Sequence, residues 1–409
     1  KVAPAAGSGA RLRAWLQGRL QHGLWLCKRF LITWQFAIAL NGTRMLWLLV
    51  SKYYEFVRQA AMDVLLNLDM QILLPVIDVV APVGISFFTF QAITYLAWQH
   101  EIAPQRTPFT QPLLYFAFWP THFAGPIFRA QDFFRQLQGD AFGAPKHAEL
   151  AIYFIVLGMV QKIVFANWLG STFVDEAFKY PDTQTTLSTT AAVLGYALQI
   201  FLDFSGYTLI VAGLGMLLGF TLPLNFRQPY LASSLRDFWR RWHISLSTFI
   251  RDYVYIPLGG NRQGYLRAQL NILAAMLISG LWHGASNTFL LWGAIHGAGM
   301  VGQNLYERWV GVNMPLLLAR MLTFAFVCLG WIFFRADSSE AALQMMSGFG
   351  RYSGEFSEQH AYLLAFVAVF FIFSANKYYF EQRAVHLIRL AHGWKLMATA
   401  SLMIFLVIL

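Results

Sequence analysis

Ile278-Ser279-Gly280-Leu281-Trp282-His283-Gly284-Ala285 sets one imidazole between two apolar runs, Ala268–Leu281 and Thr288–Val301. Two adjacent apolar runs of this kind read as paired membrane helices. An ionisable group between them is costly to place in hydrocarbon, so it faces a protein interior or a wet cavity and marks a functional site. Histidine is the side chain suited to proton transfer near neutral pH.

The rest of the chain fits that setting. Of 409 residues, 57% are hydrophobic, 17% aromatic and 12% charged, against about 25% charged in a soluble domain. Apolar runs of membrane-crossing length recur, and the bilayer allows only helices or closed barrels to span it. The expectation is one all-α, polytopic membrane domain over 1–409. It has about ten or eleven embedded segments: Phe30–Val50, Gln71–Trp98, Pro112–Phe128, Leu150–Leu169, Thr189–Phe220 (one or two passes), Ala268–Leu281, Thr288–Val301, Met314–Phe334, Ala361–Tyr379 and Lys395–Leu409. Pro75 and Pro82 predict a kink or break in the second, and four Pro and Gly residues make the third re-entrant. Asp203-Phe204-Ser205-Gly206 predicts a break in the fifth. The basic stretch Arg11–Arg29 is expected along the interface. Leu396–Leu409 is too short to cross, so the natural chain is expected to continue beyond it.

Cys27 and Cys328 form neither a disulfide framework nor a metal-ligand spacing, and Lys1–Gln21 lacks the apolar core of a secretory signal. The formal charge of +10 is spread between membrane segments, which points to lipid headgroups or phosphorylated ligands and away from nucleic acid.

The loop Asn225–Arg267 carries Arg227, Arg236, Arg240, Arg241, Arg251, Arg262 and Arg267 against Asp237 and Asp252, a net of +5. Such density predicts the cytoplasmic side. In Arg236-Asp237-Phe238-Trp239-Arg240-Arg241-Trp242-His243, Asp237 and Arg241 have the spacing of a helix-face ion pair. Phe238 and Trp242 repeat at the same interval. Two readings stand: an amphipathic helix with its aromatic face in the bilayer, or a cationic floor for a phosphate-bearing donor, with Arg240, Arg241 and Arg262 as its contacts.

His283 is read either as a packed structural imidazole or as a general base. Gly280 and Gly284 beside it allow close approach of backbone or substrate, and Asn287 shares its face if the helix continues. On a continuous helix His296 would stand about 20 Å away along the axis, too far to serve the same atom. His296 is therefore read as structural or as lining the access path. Asp203 is read as pairing with an arginine, capping a broken helix, or lining a polar tunnel together with Asn287. No nucleophile elbow, phosphate-binding loop or metal-binding His-Glu-Xaa-Xaa-His motif occurs.

Several ordered blocks resemble the membrane-bound O-acyltransferases, in the branch that holds the alginate, peptidoglycan and cellulose O-acetyltransferases and the teichoic acid D-alanyl transferases. They are Pro82-Val83-Gly84-Ile85-Ser86-Phe87-Phe88-Thr89-Phe90-Gln91, Ala124-Gly125-Pro126-Ile127-Phe128-Arg129, Asp203-Phe204-Ser205-Gly206-Tyr207, Asn225-Phe226-Arg227-Gln228-Pro229-Tyr230, Asp237 through Ser247, Arg251-Asp252-Tyr253, Leu258-Gly259-Gly260-Asn261-Arg262 and Gly280-Leu281-Trp282-His283-Gly284. Thr208 and Leu209 stand where members often carry an acidic residue, and Leu96-Ala97-Trp98-Gln99-His100 replaces a usual Asp-Val-Tyr-Arg.

The resemblance implies that His283 is the catalytic histidine and His243 a second one near the tunnel. It implies a ring of helices around a central tunnel joining a cytoplasmic thioester, acetyl-coenzyme A, to an extracytoplasmic acceptor. It further implies a bacterial inner-membrane O-acetyltransferase acting on an exported polysaccharide, directly or through a periplasmic SGNH-type acetyltransferase or esterase, beside a polysaccharide synthase or export complex. The alternatives are a lipid or protein acyltransferase of the same family, or a transporter or channel, which broken helices and buried charges also suit.

Overall fold

The structure, a computed structural model, describes residues 50–70, 72–76, 84–101, 110–122, 124–138, 147–312, 314–352, 354 and 356–390. The expected segments Arg11–Arg29 and Lys395–Leu409, most of Phe30–Val50, and Pro82 lie outside them. The chain divides into two units, Lys1–Ile85 and Ser86–Leu409. In the first, helix α1 covers 50–67, with Arg58 paired to Glu55 at 2.6 Å and the Tyr54 hydroxyl donating to the Pro75 carbonyl at 2.6 Å.

The second unit opens with α2 (Ile85–Glu101), α3 (Thr110–Phe116) and α4 (Ala130–Gln138). Of the predicted span Gln71–Trp98, only the part from Ile85 onward is helical among the described residues, which fits the break expected at its prolines. Residues 72–76, with Pro75, lie outside any helix, and α2 begins at Ile85. The Pro112–Phe128 stretch is short and broken as its prolines require: α3 gives way to a single tight turn at Trp119–Thr121.

Two 32-residue helices follow, α5 (Ala148–Lys179) and α6 (Thr186–Leu217). α5 extends well past the predicted Leu169 and carries π-helical stretches at Val160–Ala166 and Gly170–Val174. α6 corrects the expected break: it runs unbroken through Asp203-Phe204-Ser205-Gly206. The polar groups there are satisfied against α5 and need no gap in the helix. Ser205 donates to the Gln161 side chain at 2.8 Å, Lys162 pairs with Asp203, and the Thr208 hydroxyl donates back to the Phe204 carbonyl. Glycine brings the two backbones together: a Cβ on Gly206 would lie 2.6 Å from the Gly158 carbonyl, and one on Gly213 2.6 Å from that of Ala151. Small residues at such crossings are how membrane helices gain packing contact.

The Arg-rich loop holds two short helices, α7 (Leu235–Trp239) and α8 (Ile244–Ile250), with a π-helical turn at Arg251–Tyr255. The amphipathic-helix expectation fails in its direction. Phe238 and Trp242 are 1% and 4% exposed, packed inward on Trp331, so neither faces lipid. The helix stops at Trp239 and the chain turns through His243, whose φ of +43° ends one element and starts the next.

Then come α9 (Tyr265–His283), α10 (Asn287–Trp309), α11 (Leu316–Arg335), α12 (Ser339–Ser347), α13 (Glu358–Ala375) and α14 (Lys377–Leu390). Among the described residues there is no strand. α5, α6, α11 and α13 are long and apolar enough to cross a membrane, and the protein is an all-α, multi-pass membrane protein.

Candidate active site

His283 is the last residue of α9, and Gly284 leaves the helix in an extended conformation. The Ser286 hydroxyl then caps α10 by accepting from the Thr288 amide at 3.2 Å. This break overturns two expectations that assumed a continuous helix. Asn287 starts the next helix and is exposed. His296 is not remote, because the chain folds back: both His283 and His296 pack on Trp292, at 5.2 and 5.1 Å between ring centroids. The flanking glycines admit backbone, not only ligand. A Cβ on Gly280 would strike the Phe289 carbonyl, one on Gly284 the Phe289 ring, and one on Gly293 the Met276 carbonyl at 2.5 Å.

The His283 ring is partly exposed and walled by aromatics: Trp282 at 4.7 Å, Phe334 at 4.9 Å, Trp292 at 5.2 Å and Phe289 at 6.2 Å. Such walls fix an imidazole's orientation while leaving its edge open.

His243 reaches the same place from the Arg-rich loop. It is 1% exposed and sits between Phe204 of α6 at 4.7 Å and Trp282 at 6.0 Å. His243 and His283 therefore pack against the same indole. Hydrogen bonds around His243 hold its backbone. The Ile244 amide donates to the Asn225 carbonyl, and the Ser245 amide and hydroxyl both donate to the Asn225 side-chain oxygen, at 3.1 and 2.6 Å. The Ile127 amide donates to the Ser245 hydroxyl at 3.0 Å. Three of the quoted sequence blocks thus meet at one point. Among the described residues, both ring nitrogens of His243 and the Asn225 Nδ2 are nonetheless buried without a hydrogen-bond partner. Buried polar atoms are nearly always paired, so orphans clustered beside a second histidine mark a place for a polar ligand.

His296 is fully buried among Trp239, Trp292, Phe326 and Phe238. Asp203 is joined to Lys162 midway along α5 and α6, and its neighbour Phe204 touches His243. Arg241 is committed to Asp237 at 2.7 Å. Arg240 and Arg262 are exposed and, among the described residues, hold no ion pair. The structure therefore brings His283 and His243 together. His296 stands one indole away, while Asn287 and the three arginines remain outside this aromatic pocket.

Sequence reasoning missed Lys162, Asn225 and Trp282 as parts of the site. Lys162 was visible as a charge inside an apolar run. Nothing in spacing alone marked Trp282 as the surface both histidines share. Among the described residues, no group of His, Cys, Asp and Glu could hold a metal ion.

The chain is similar to known proteins. The model of MBOAT, the membrane-bound O-acyltransferase family, matches residues 19–341. A probable alginate O-acetylase, AlgI, of Pseudomonas aeruginosa is 37% identical over 302 residues, covering 72% of this chain and 56% of that protein. A peptidoglycan O-acetyltransferase of Helicobacter pylori is 33% identical over 302 residues, 66% of this chain and 57% of that protein. A teichoic acid D-alanyltransferase of Bacillus subtilis is 26% identical over 275 residues, 63% of this chain and 69% of that protein. The chain spans little more than half the length of the alginate and peptidoglycan relatives. With the match running through both histidine-bearing blocks, the chain belongs to the membrane-bound O-acyltransferase family.

Proposed function

We propose that this chain is a bacterial inner-membrane O-acetyltransferase that moves acetyl from a cytoplasmic thioester, acetyl-coenzyme A, toward an exported polysaccharide. The observation that carries the reading is the convergence of His283 and His243 on Trp282, with the His243 nitrogens buried and unpartnered. Two relatives whose names include O-acetylation of alginate or peptidoglycan support the acetyl group and the polysaccharide class.

In the proposed reaction neutral His283 accepts the proton of an acceptor hydroxyl as its oxygen attacks the thioester carbonyl. The tetrahedral intermediate collapses, the C–S bond breaks, and the imidazolium returns the proton to the leaving thiolate. His243 holds a polar atom of the acyl or acceptor group. Asp203 belongs to the polar path through the protein, and buried His296 packs the aromatic wall behind His283. Arg240, Arg241 and Arg262 supply the positive field that draws the donor's phosphates to the loop. The acceptor is either the sugar or a serine of a periplasmic SGNH-type partner that completes the transfer, beside a polysaccharide synthase or export complex.

Purified protein, given labelled acetyl-coenzyme A and an acceptor polysaccharide with or without such a partner, should release free thiol and place label on an acceptor hydroxyl. Palmitoyl-coenzyme A should be a poor donor. Preference for palmitoyl would turn the reading to a lipid or protein acyltransferase. Solute flux without covalent transfer would turn it to a transporter.

A further inference from the structure

One of the blocks that brace His243, Ala124 through Arg129, also meets a block with no part in the histidine pocket, Arg251-Asp252-Tyr253. Asp252 is shared between two arginines: Arg251 Nε donates to Oδ1 at 2.7 Å and Arg129 Nη1 pairs with Oδ2 at 2.7 Å. Two guanidinium groups against one carboxylate leave a net positive charge. The Arg251 side chain is 60% exposed, and among the described residues its terminal nitrogens make no hydrogen bond. Its planar fork is suited to a phosphate oxygen.

The cluster is tied to the histidines by an unbroken series of rings. Arg129 lies over Tyr253 at 5.8 Å. Tyr253 packs on Phe249 at 4.6 Å, Phe249 on Phe90 at 4.1 Å, and Phe90 stacks on Trp282 at 5.2 Å. Phe90 and Phe249 are buried, so the series is close-packed and holds the cation cluster at a set distance from Trp282 and His283.

We propose that Arg129 and Arg251 form the phosphate-binding end of the donor site, with Asp252 holding their side chains in place and competing with the incoming phosphate. This rests on the acetyltransferase reading above. A coenzyme A thioester has its phosphates at one end and its reacting carbonyl at the other end of a long flexible arm. A rigid spacer between a cationic anchor and the base positions both ends at once and limits the freedom lost at the reacting end.

The test compares three donors on purified protein in lipid-free detergent: acetyl-coenzyme A, acetyl-phosphopantetheine and acetyl-pantetheine, which carries no phosphate. Arg251→Gln should raise KM on the order of tenfold for the two phosphate-bearing donors, the loss of one charge-assisted hydrogen bond. It should leave kcat, and the KM of acetyl-pantetheine, unchanged. Asp252→Asn should lower KM for the phosphate-bearing donors, because it removes the competing anion. A structural tie alone gives no such gain. Equal KM changes for all three donors, or a fall in kcat alone, would overturn the assignment. So would a donor effect appearing only after phosphatidylglycerol is added, which would make the cluster a headgroup site. If the wild-type protein transfers acetyl from none of the three, the acetyltransferase reading itself fails. If it transfers acetyl and the variants do not discriminate, only this assignment fails.

Discussion

His243 and His283 share one indole: Trp282 lies 6.0 Å from the first imidazole and 4.7 Å from the second, edge-on to both. Two chain segments forty positions apart are thereby fixed on one side chain. Trp282 in turn stacks on Phe90 and meets Phe87 at 5.6 Å, so the shared surface is itself held from behind.

Replacing Trp282 should therefore disturb both histidines. Trp282→Ala is expected to reduce kcat by on the order of 10²-fold, the scale of a displacement of about 1 Å in a catalytic group. Trp282→Phe, which keeps an aromatic face, should recover much of it. Steady-state kinetics on detergent-stable protein checks this, and equal activity of the alanine variant and wild type would show that the indole positions neither imidazole.

The Lys162–Asp203 pair should matter to the fold more through its charges than through its shape. Both residues lie midway along helices of membrane-crossing length. Neutralising one leaves the other's charge without its partner midway along a membrane-length helix, which destabilises the fold. Lys162→Met and Asp203→Leu should each lower the melting temperature in detergent, and the double variant should be more stable than either single one. A double variant as unstable as the sum of the two would show that the charges do not act as a pair.

Asp252 gives a pH dependence whose sign is defined. Partial burial pushes its carboxyl upward, but hydrogen bonds from Arg251 and Arg129 outweigh this and hold it below the usual value. A depressed folded-state value contributes stability above the unfolded-state value, and that stability is lost as pH falls through the folded-state one. Wild type should exceed Asp252→Asn by about 1–3 kcal/mol at neutral pH, with the gap closing below the ordinary aspartate range. Unfolding in detergent across that range measures it. A gap independent of pH would mean that the carboxylate's charge is not what Arg129 and Arg251 hold.

Much of the helical scaffold was legible because apolar runs of membrane length leave the backbone little choice. Ala268–Leu281 and Thr288–Val301 fall inside α9 and α10, and Gly284 does separate them. What periodicity could not supply was the partner of each face. The Phe238 and Trp242 spacing looks the same whether the rings meet lipid or Trp331. Asp203 reads as a break until Lys162, 41 positions away, is seen to satisfy it. His283 stood out as a titratable group in an apolar context. That His243 joins it came from family resemblance, because contact between distant segments leaves no mark in local spacing. The contact is made by Trp282, whose own role nothing in the sequence marked.

The most direct measurement is acetyl transfer by purified His283→Ala protein, run beside wild type at matched folding. Removing a general base costs roughly 10²–10⁴-fold in rate. The account predicts a loss of that size in kcat with an unchanged detergent melting profile and unchanged donor binding. Wild-type turnover by the alanine variant, or a loss of activity that only follows a loss of folded protein, would contradict the assignment of His283 as the base.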